Sequence, residues 1–282
     1  MTMQRLRLNS GHSIPNVGFG VFQVPPADTG KLVGNALKIG YRHIDSAIVY
    51  HNESESVEAI VEFMRANPSV SREDIFYTTK VVPRLGYDSA LNRIKEAIEK
   101  AKPIGYIDLF LLHSPGRDGR ATIDAYRALQ DAAQQGLIKS IGVSNFGVEH
   151  LKLLYGWSGL KIPPTINQIE INPWLQHDDI IEFCKEKNIL IEAYSPLMRG
   201  QHHDHPDLVK LASKYNKSPA QILLRWNLQR GHIILPKTVS MDRQGQNIDL
   251  FDFQLTDNEM ESLGDKSAYL ITSGWDPTSW PI

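Results

Sequence analysis

Short apolar, β-branched runs alternate along the chain with longer runs whose apolar positions recur every three to four residues. The strand-like runs fall at 17–20, 42–45, 75–80, 107–113, 138–143, 165–168, 190–194 and 233–235. Amphipathic helix patterns lie between them at 30–39, 55–64, 89–100, 123–135, 148–155 and 180–187. A further helix is predicted over 218–231, with Ser218 as N-cap, Pro219 at the first helical position and Gly231 as the stop. The opening QRLRLNSGHSIPNV reads as a hairpin turning at Asn9, Ser10 and Gly11. Eight strand–helix units predict an α/β fold, a (β/α)8 TIM barrel with an N-terminal β-hairpin, with 1–282 as a single barrel domain. A doubly wound sheet is the rival, but it usually opens on a Gly-rich turn; GFG at 18–20 goes no further and GxGxxG is absent.

Composition changes this picture little. Of 282 residues, 41% are apolar and 22% charged, enough to bury a large core, and the formal net charge of −2 gives no pull toward nucleic acid or an acidic membrane. The single cysteine, Cys184, excludes an intramolecular disulfide and falls on the core side of a helical run. MTMQRLRLNS lacks the apolar stretch of a signal peptide, and no run is long enough for a membrane helix. A cytoplasmic protein with no membrane or nucleic-acid partner is expected.

In a barrel, chemistry gathers where strands end and βα loops begin. Those ends carry Asp45 with Tyr50 just beyond it, then Lys80, His113, Ser144 with Asn145, Gln168, Tyr194 and Lys237. Each alone is weak, since a lone strand-end histidine is more often structural and a lone lysine usually solvated. Together they bring an acid, a base, a phenol and an imidazole to one mouth. Asp45 sits in GYRHIDSAIVY, an apolar run where an unpartnered carboxylate is costly; Lys80 is its expected partner. A nearby ammonium favours the phenolate and so makes Tyr50 a better acid. With His113 offering a ring nitrogen to the same oxygen, Tyr50 becomes a proton donor to a carbonyl. Such a carbonyl needs a hydride from outside, hence a cofactor.

GYRHIDSAIVYHNE, LFLLHSP, KSIGVSNF and LPKTVSMDRQGQN resemble the signatures of the aldo-keto reductase superfamily, with an overall wording similar to its fungal members. The resemblance implies NADPH-dependent reduction of aldehydes and ketones, in a monomer, with Tyr50 the acid and Asp45, Lys80 and His113 completing the catalytic four. It implies that Ser144, Asn145 and Gln168 hold the nicotinamide amide, that Tyr194 stacks on the ring, and that Ser195 and Leu197 follow the pyrophosphate. Lys237, Thr238, Ser240 and Arg243 in one turn-rich stretch supply the cations and hydroxyls that suit an extra phosphate, which favours NADP over NAD. The family places the equivalents of Gln246 and Asn247 on the adenine. By the same analogy Phe22, Val49, Val82, Ser114, Trp275 and Trp280 wall the substrate pocket. Many relatives carry aromatics where Val82 and Ser114 stand, so a wide pocket and a broad carbonyl range are expected, aryl aldehydes and α-dicarbonyls included. Ser56 and Val57 depart from the family pattern on the helix after the second strand, where they bear on packing.

Two rival readings use the same residues. An aldolase or isomerase would make Lys80 a Schiff base; a non-enzymatic sensor would bind NADP and report it. QHHDHPD at 201–207 raises a metal site, but a solvated loop is expected there, since metal ligands need second contacts to fix them. Trp174 fits core and pocket equally well.

Overall fold

The computed structural model describes residues 3–83 and 86–282. An antiparallel hairpin of β1 (Arg5–Arg7) and β2 (Ser13–Pro15) opens the chain. Then come β3 (Phe19–Gly20), β4 (His43–Asp45), β5 (Phe76–Val81), β6 (Ile107–Leu112), β7 (Ile138–Ser144), β8 (Ile166–Glu170), β9 (Leu190–Tyr194) and β10 (Ile233–Leu235). These eight pair in parallel, each with its sequence neighbour. The edges nearly close the ring: Val17 bridges Ile234, and the Gly18 N–H donates to the Ile234 carbonyl at 2.8 Å. Helices cover the outside: α1 (Pro26–Lys38), α2 (Glu53–Ala66), α3 (Gly86–Ala101), α4 (Gly119–Ala133), α5 (Val148–Gly156), α6 (Asp178–Glu186), α7 (Pro206–Tyr215), α8 (Pro219–Gln229), α9 (Met241–Ile248) and α10 (Asp257–Ser262).

The order follows the predicted strand–helix alternation, with the boundaries adjusted by local chemistry. α1 starts four residues before the expected position because Pro26 is already shaped for a first helical turn. α8 is capped as its sequence predicts, with the Ser218 hydroxyl accepting the Gln221 N–H at 3.3 Å. α7 has no counterpart among the predicted helices. Pro206 opens it and Asn216, at φ 52°, ends it, so the expected 201–207 loop stops at 205.

Apolar side chains fill two spaces. The larger lies between the sheet and the helices. The smaller lies inside the barrel floor, where Leu8 and Ile14 of the hairpin meet Phe76, Leu109, Leu111, Ile166 and Ile233. The hairpin is thus a plug. Above that floor the barrel interior turns polar. His43 lies there because residue 18 is a glycine: a Cβ on Gly18 would come within 2.7 Å of His43 Nδ1 and 2.6 Å of Leu235 Cδ2.

Candidate active site

β4 delivers Asp45 to the mouth, and a short 3-10 turn over Ile48–Tyr50 swings Tyr50 back over it. Asn52 fastens this turn. Its amide donates to the carbonyls of Val21 at 2.9 Å and Val24 at 3.1 Å and accepts from Ser46 Oγ at 2.9 Å. From β5, Lys80 is 0% exposed and donates to Asp45 Oδ1 at 2.6 Å and to the Ser46 carbonyl at 2.8 Å. The Lys80 ammonium lies 5.0 Å from the centre of the Tyr50 ring. Tyr50 Oη stands 3.4 Å from Nε2 of His113, just past the end of β6. The four side chains therefore form one connected group, and the partner of Asp45 is Lys80.

Burial opposes charge on every member. It works against the Lys80 ammonium, but Asp45 and Tyr50 outweigh it and hold that amine charged above the usual lysine range. Burial pushes Asp45 up, against the pull of Lys80 and the Gln168 amide. Burial also raises Tyr50; the downward pull of Lys80 expected from the residues is present but smaller. His113 is pushed down to about 3, first by burial and then by Lys80, so its imidazole is neutral. A neutral His113 can share a hydrogen bond with the oxygen that Tyr50 faces. A sealed, charged Lys80 is no amine nucleophile, which counts against the Schiff-base alternative.

One side of the mouth is lined by the expected polar set. Ser144 Oγ donates to the Gln168 carbonyl at 2.8 Å. Asn145, at φ 61°, donates from Nδ2 to the His113 carbonyl at 2.9 Å and accepts the Tyr194 hydroxyl at 2.8 Å. Tyr194 and Leu197 are half-buried, and Ser195 adopts a left-handed backbone at φ 46°. Further round, Ser240 caps α9, Thr238 Oγ1 accepts the Ser240 N–H at 3.1 Å, Arg243 and Gln246 are exposed, and Asn247 is buried. Arg199 belongs to this side too, although nothing in its sequence context marked it. Its guanidinium lies 5.8 Å from the Phe22 ring centre, and together with burial it lowers the Lys237 ammonium. Two cations close enough for one to act on the other suit an anion beside them.

The other side is apolar. Phe22 meets the Tyr50 ring at 5.1 Å, and Trp275 meets His113 at 6.3 Å and Trp280 at 6.0 Å. Val49 and Val82 are half-buried. Ser114 is 3% exposed and donates its hydroxyl to the Pro115 carbonyl at 2.9 Å. Glu170, at the end of β8, holds the C-terminal wall in place. One of its carboxyl oxygens accepts from Thr272 N at 2.8 Å and Thr272 Oγ1 at 2.5 Å, the other from Ser273 N at 3.2 Å.

A family model described as the aldo/keto reductase family matches residues 16–268. The chain belongs to the aldo/keto reductase family. It is 41% identical over 277 residues to an uncharacterized oxidoreductase of Schizosaccharomyces pombe, covering 98% of both chains. It is 38% identical over 260 residues to a glyoxal reductase of Bacillus subtilis, covering 92% of this chain and 91% of that one. Among solved structures, an aldo-keto reductase of Bombyx mori in complex with NADP superposes with a TM-score of 0.83 at 37% identity, covering 93% of this chain and 92% of that one.

Within this aldo/keto reductase the departures at 56 and 57 are absorbed by packing. Ser56 donates to the Asn52 carbonyl at 2.8 Å and Val57 is 1% exposed. Cys184 is buried, its thiol pushed up to about 12 by that burial. Trp174 is buried beneath the histidine-rich loop, stacked on His202 at 5.5 Å and edge-on to His205 at 5.0 Å. His203 instead faces the Leu197 carbonyl at 3.0 Å. Among the described residues no group of three or more such side chains is placed to hold a metal ion, and none of the helices is long and apolar enough to cross a membrane.

Proposed function

We propose that this chain reduces aldehydes and ketones to alcohols with NADPH, Tyr50 acting as the general acid. The observation that carries the proposal is the connected group itself: Tyr50 Oη is 3.4 Å from a neutral His113 and its ring is 5.0 Å from a charged, buried Lys80. A carbonyl oxygen seated between Tyr50 and His113 meets one proton donor and one further polar contact. Lys80 favours the tyrosinate left after the proton moves, and Asp45 holds Lys80 in place. A positioned acid of this kind is worth about 10²–10⁴-fold.

The donor set fits the dinucleotide. Both carboxyl groups beside Gln168 take its NH2, so its carbonyl oxygen is left for a ligand. Tyr194 offers a ring face, and Lys237, Ser240, Arg243 and Arg199 supply charge and hydroxyls for phosphates. When bound there, the cofactor supplies the hydride. The reading of NADP over NAD is supported by Lys237 and Arg243 and by the NADP complex of the Bombyx mori relative. The glyoxal reductase relative supports small α-dicarbonyls as substrates, and the apolar wall of Phe22, Trp275 and Trp280 supports aryl aldehydes.

The test is loss of reduced-nicotinamide absorbance with NADPH, then NADH, across aryl aldehydes, α-dicarbonyls and sugars. Wild type is expected to consume NADPH, and Tyr50→Phe to lose at least about 10²-fold in kcat. Tight NADPH binding without turnover of any carbonyl would put the sensor reading first.

A further inference from the structure

Beneath the Asp45–Lys80 pair the barrel holds a second carboxyl group that the chemistry above does not use. Glu192 lies in the middle of β9 and is 0% exposed. Its Oε2 accepts from Gln168 Nε2 at 2.6 Å, and the same nitrogen donates to Asp45 Oδ2 at 3.0 Å. One neutral amide thus stands between two carboxyl groups. The other oxygen, Glu192 Oε1, is buried without a hydrogen-bond partner; its nearest basic neighbour is His43 Nε2 at 3.8 Å. That nitrogen already meets Thr78 Oγ1 at 3.0 Å, and burial followed by the Lys80 charge keeps the His43 ring neutral.

The groups around Glu192 can be counted. β4 supplies His43 and Asp45, β5 supplies Thr78 and Lys80, and β8 supplies Gln168. The one ammonium is engaged by Asp45 and the Ser46 carbonyl. An ionised Glu192 would set two carboxylates against one cation in a sealed interior, with one oxygen bare. A neutral Glu192 leaves Asp45 and Lys80 in balance. We propose that Glu192 is a positioning residue, held as a neutral acid whose carbonyl oxygen orients Gln168, and that its ionisation sets the alkaline limit of carbonyl reduction.

The proposal rests on the reductase reading. With Glu192 neutral, the Lys80 charge favours the Tyr50 phenolate. With Glu192 ionised, a second negative charge beneath Asp45 offsets that influence, and Tyr50 holds its proton more tightly. Burial and then the Asp45 charge push Glu192 up to about 8, so the change falls in an accessible range.

The test pairs infrared difference spectra of the cofactor-free full chain in D2O from pH 6 to 10 with the pH profile of kcat for NADPH-dependent reduction, in wild type and Glu192→Gln. Wild type is expected to show a protonated-carboxyl stretch at pH 6 that E192Q lacks and that fades as pH passes about 8. The alkaline limb of kcat should move up by about one pH unit in E192Q, with the change in kcat and not in KM. If E192Q fails to fold, 13C-glutamate labelling of wild type assigns the band to a glutamate, and Glu192 is the glutamate whose proton burial holds up to about 8. No such band at pH 6 would mean a Glu192 carboxylate paired with a His43 imidazolium, and would overturn the proposal. So would alkaline limbs that coincide in the two proteins. A wild type that reduces no carbonyl while the band still titrates would overturn the reductase reading and the catalytic role of Glu192, yet leave its neutral state standing.

Discussion

At the scale of single residues, the site is decided by which charges the interior tolerates. Lys80 and Asp45 have each other at 2.6 Å and almost no water. Lys80→Met would leave the Asp45 carboxylate buried and unpaired, a loss of about 3–5 kcal/mol. Its urea midpoint should fall accordingly, and Lys80→Met with Asp45→Asn together should recover part of that loss. The double variant should still lack activity, because the charge beside Tyr50 is gone; recovered activity would remove Lys80 from the chemistry. His113 gives a second prediction. An ordinary histidine would put an acid limb near its usual value of about 6.5. Here burial and Lys80 push it down to about 3, so the ring stays neutral from pH 5 to 7 and kcat should be flat over that window. A limb near pH 6.5 that disappears in His113→Gln would show that the imidazole titrates there after all. The question that Asp45 raises in the sequence, a carboxylate in an apolar run, was answerable from the strand ends alone. Glu192 in LIEAY and Glu170 in NQIE raise the same question, and their type and position in apolar strands were the available signal. The partners of Glu170 lie on the C-terminal segment, and Gln168, the partner of Glu192, was expected at a strand end but sits two residues inside the end of β8.

At the scale of elements, strands were legible because their β-branched runs are short and bounded, and most carry at or just past their end a polar residue that the mouth then collects. Helix starts were less so, since a first turn such as that of α1 is set by Pro26 and carries no apolar period. α7 does carry the helical spacing, at Leu208, Leu211, Ala212 and Tyr215, but the three histidines ahead of it drew the segment toward a loop. Arg199 could not be placed from sequence, because its approach to Phe22 depends on a loop with left-handed backbone at Ser195, Met198, Arg199 and His202. The C-terminal wall depends on a contact across 102 residues, between Glu170 and Thr272. We expect Glu170→Ala to release that wall, because three donors lose their acceptor together. The KM for an aryl aldehyde should rise about tenfold, while NADPH affinity, measured by fluorescence quenching, changes far less. If NADPH affinity fell as much as KM rose, Glu170 would be acting through neighbouring Tyr194 and the cofactor side, and not through Trp275.

At the scale of the whole molecule, the barrel is a stack of environments: an apolar floor closed by the hairpin, a polar middle of His43, Thr78 and Glu192, and a mouth where Asp45, Lys80, Tyr50 and His113 meet. The middle layer costs stability in a way that pH exposes. Glu192 in the folded chain keeps its proton up to about 8, whereas in the unfolded chain it loses it in the ordinary glutamate range near 4.3. Between those limits the native state binds more protons than the unfolded state, so the contribution of Glu192 to stability falls as pH rises, and levels off once the native group has ionised. Other groups titrate in the same window, so the useful quantity is the difference between wild type and Glu192→Gln, which cannot ionise. At pH 5 the two should unfold at similar urea concentrations. By pH 8 E192Q should be the more stable, by on the order of 3–4 kcal/mol. A wild type that instead gains on E192Q as pH rises would mean that the native barrel prefers the Glu192 carboxylate. The pair between His43 and Glu192 Oε1 would then carry the polar middle layer, and the Gln168 amide would be held between two carboxylates.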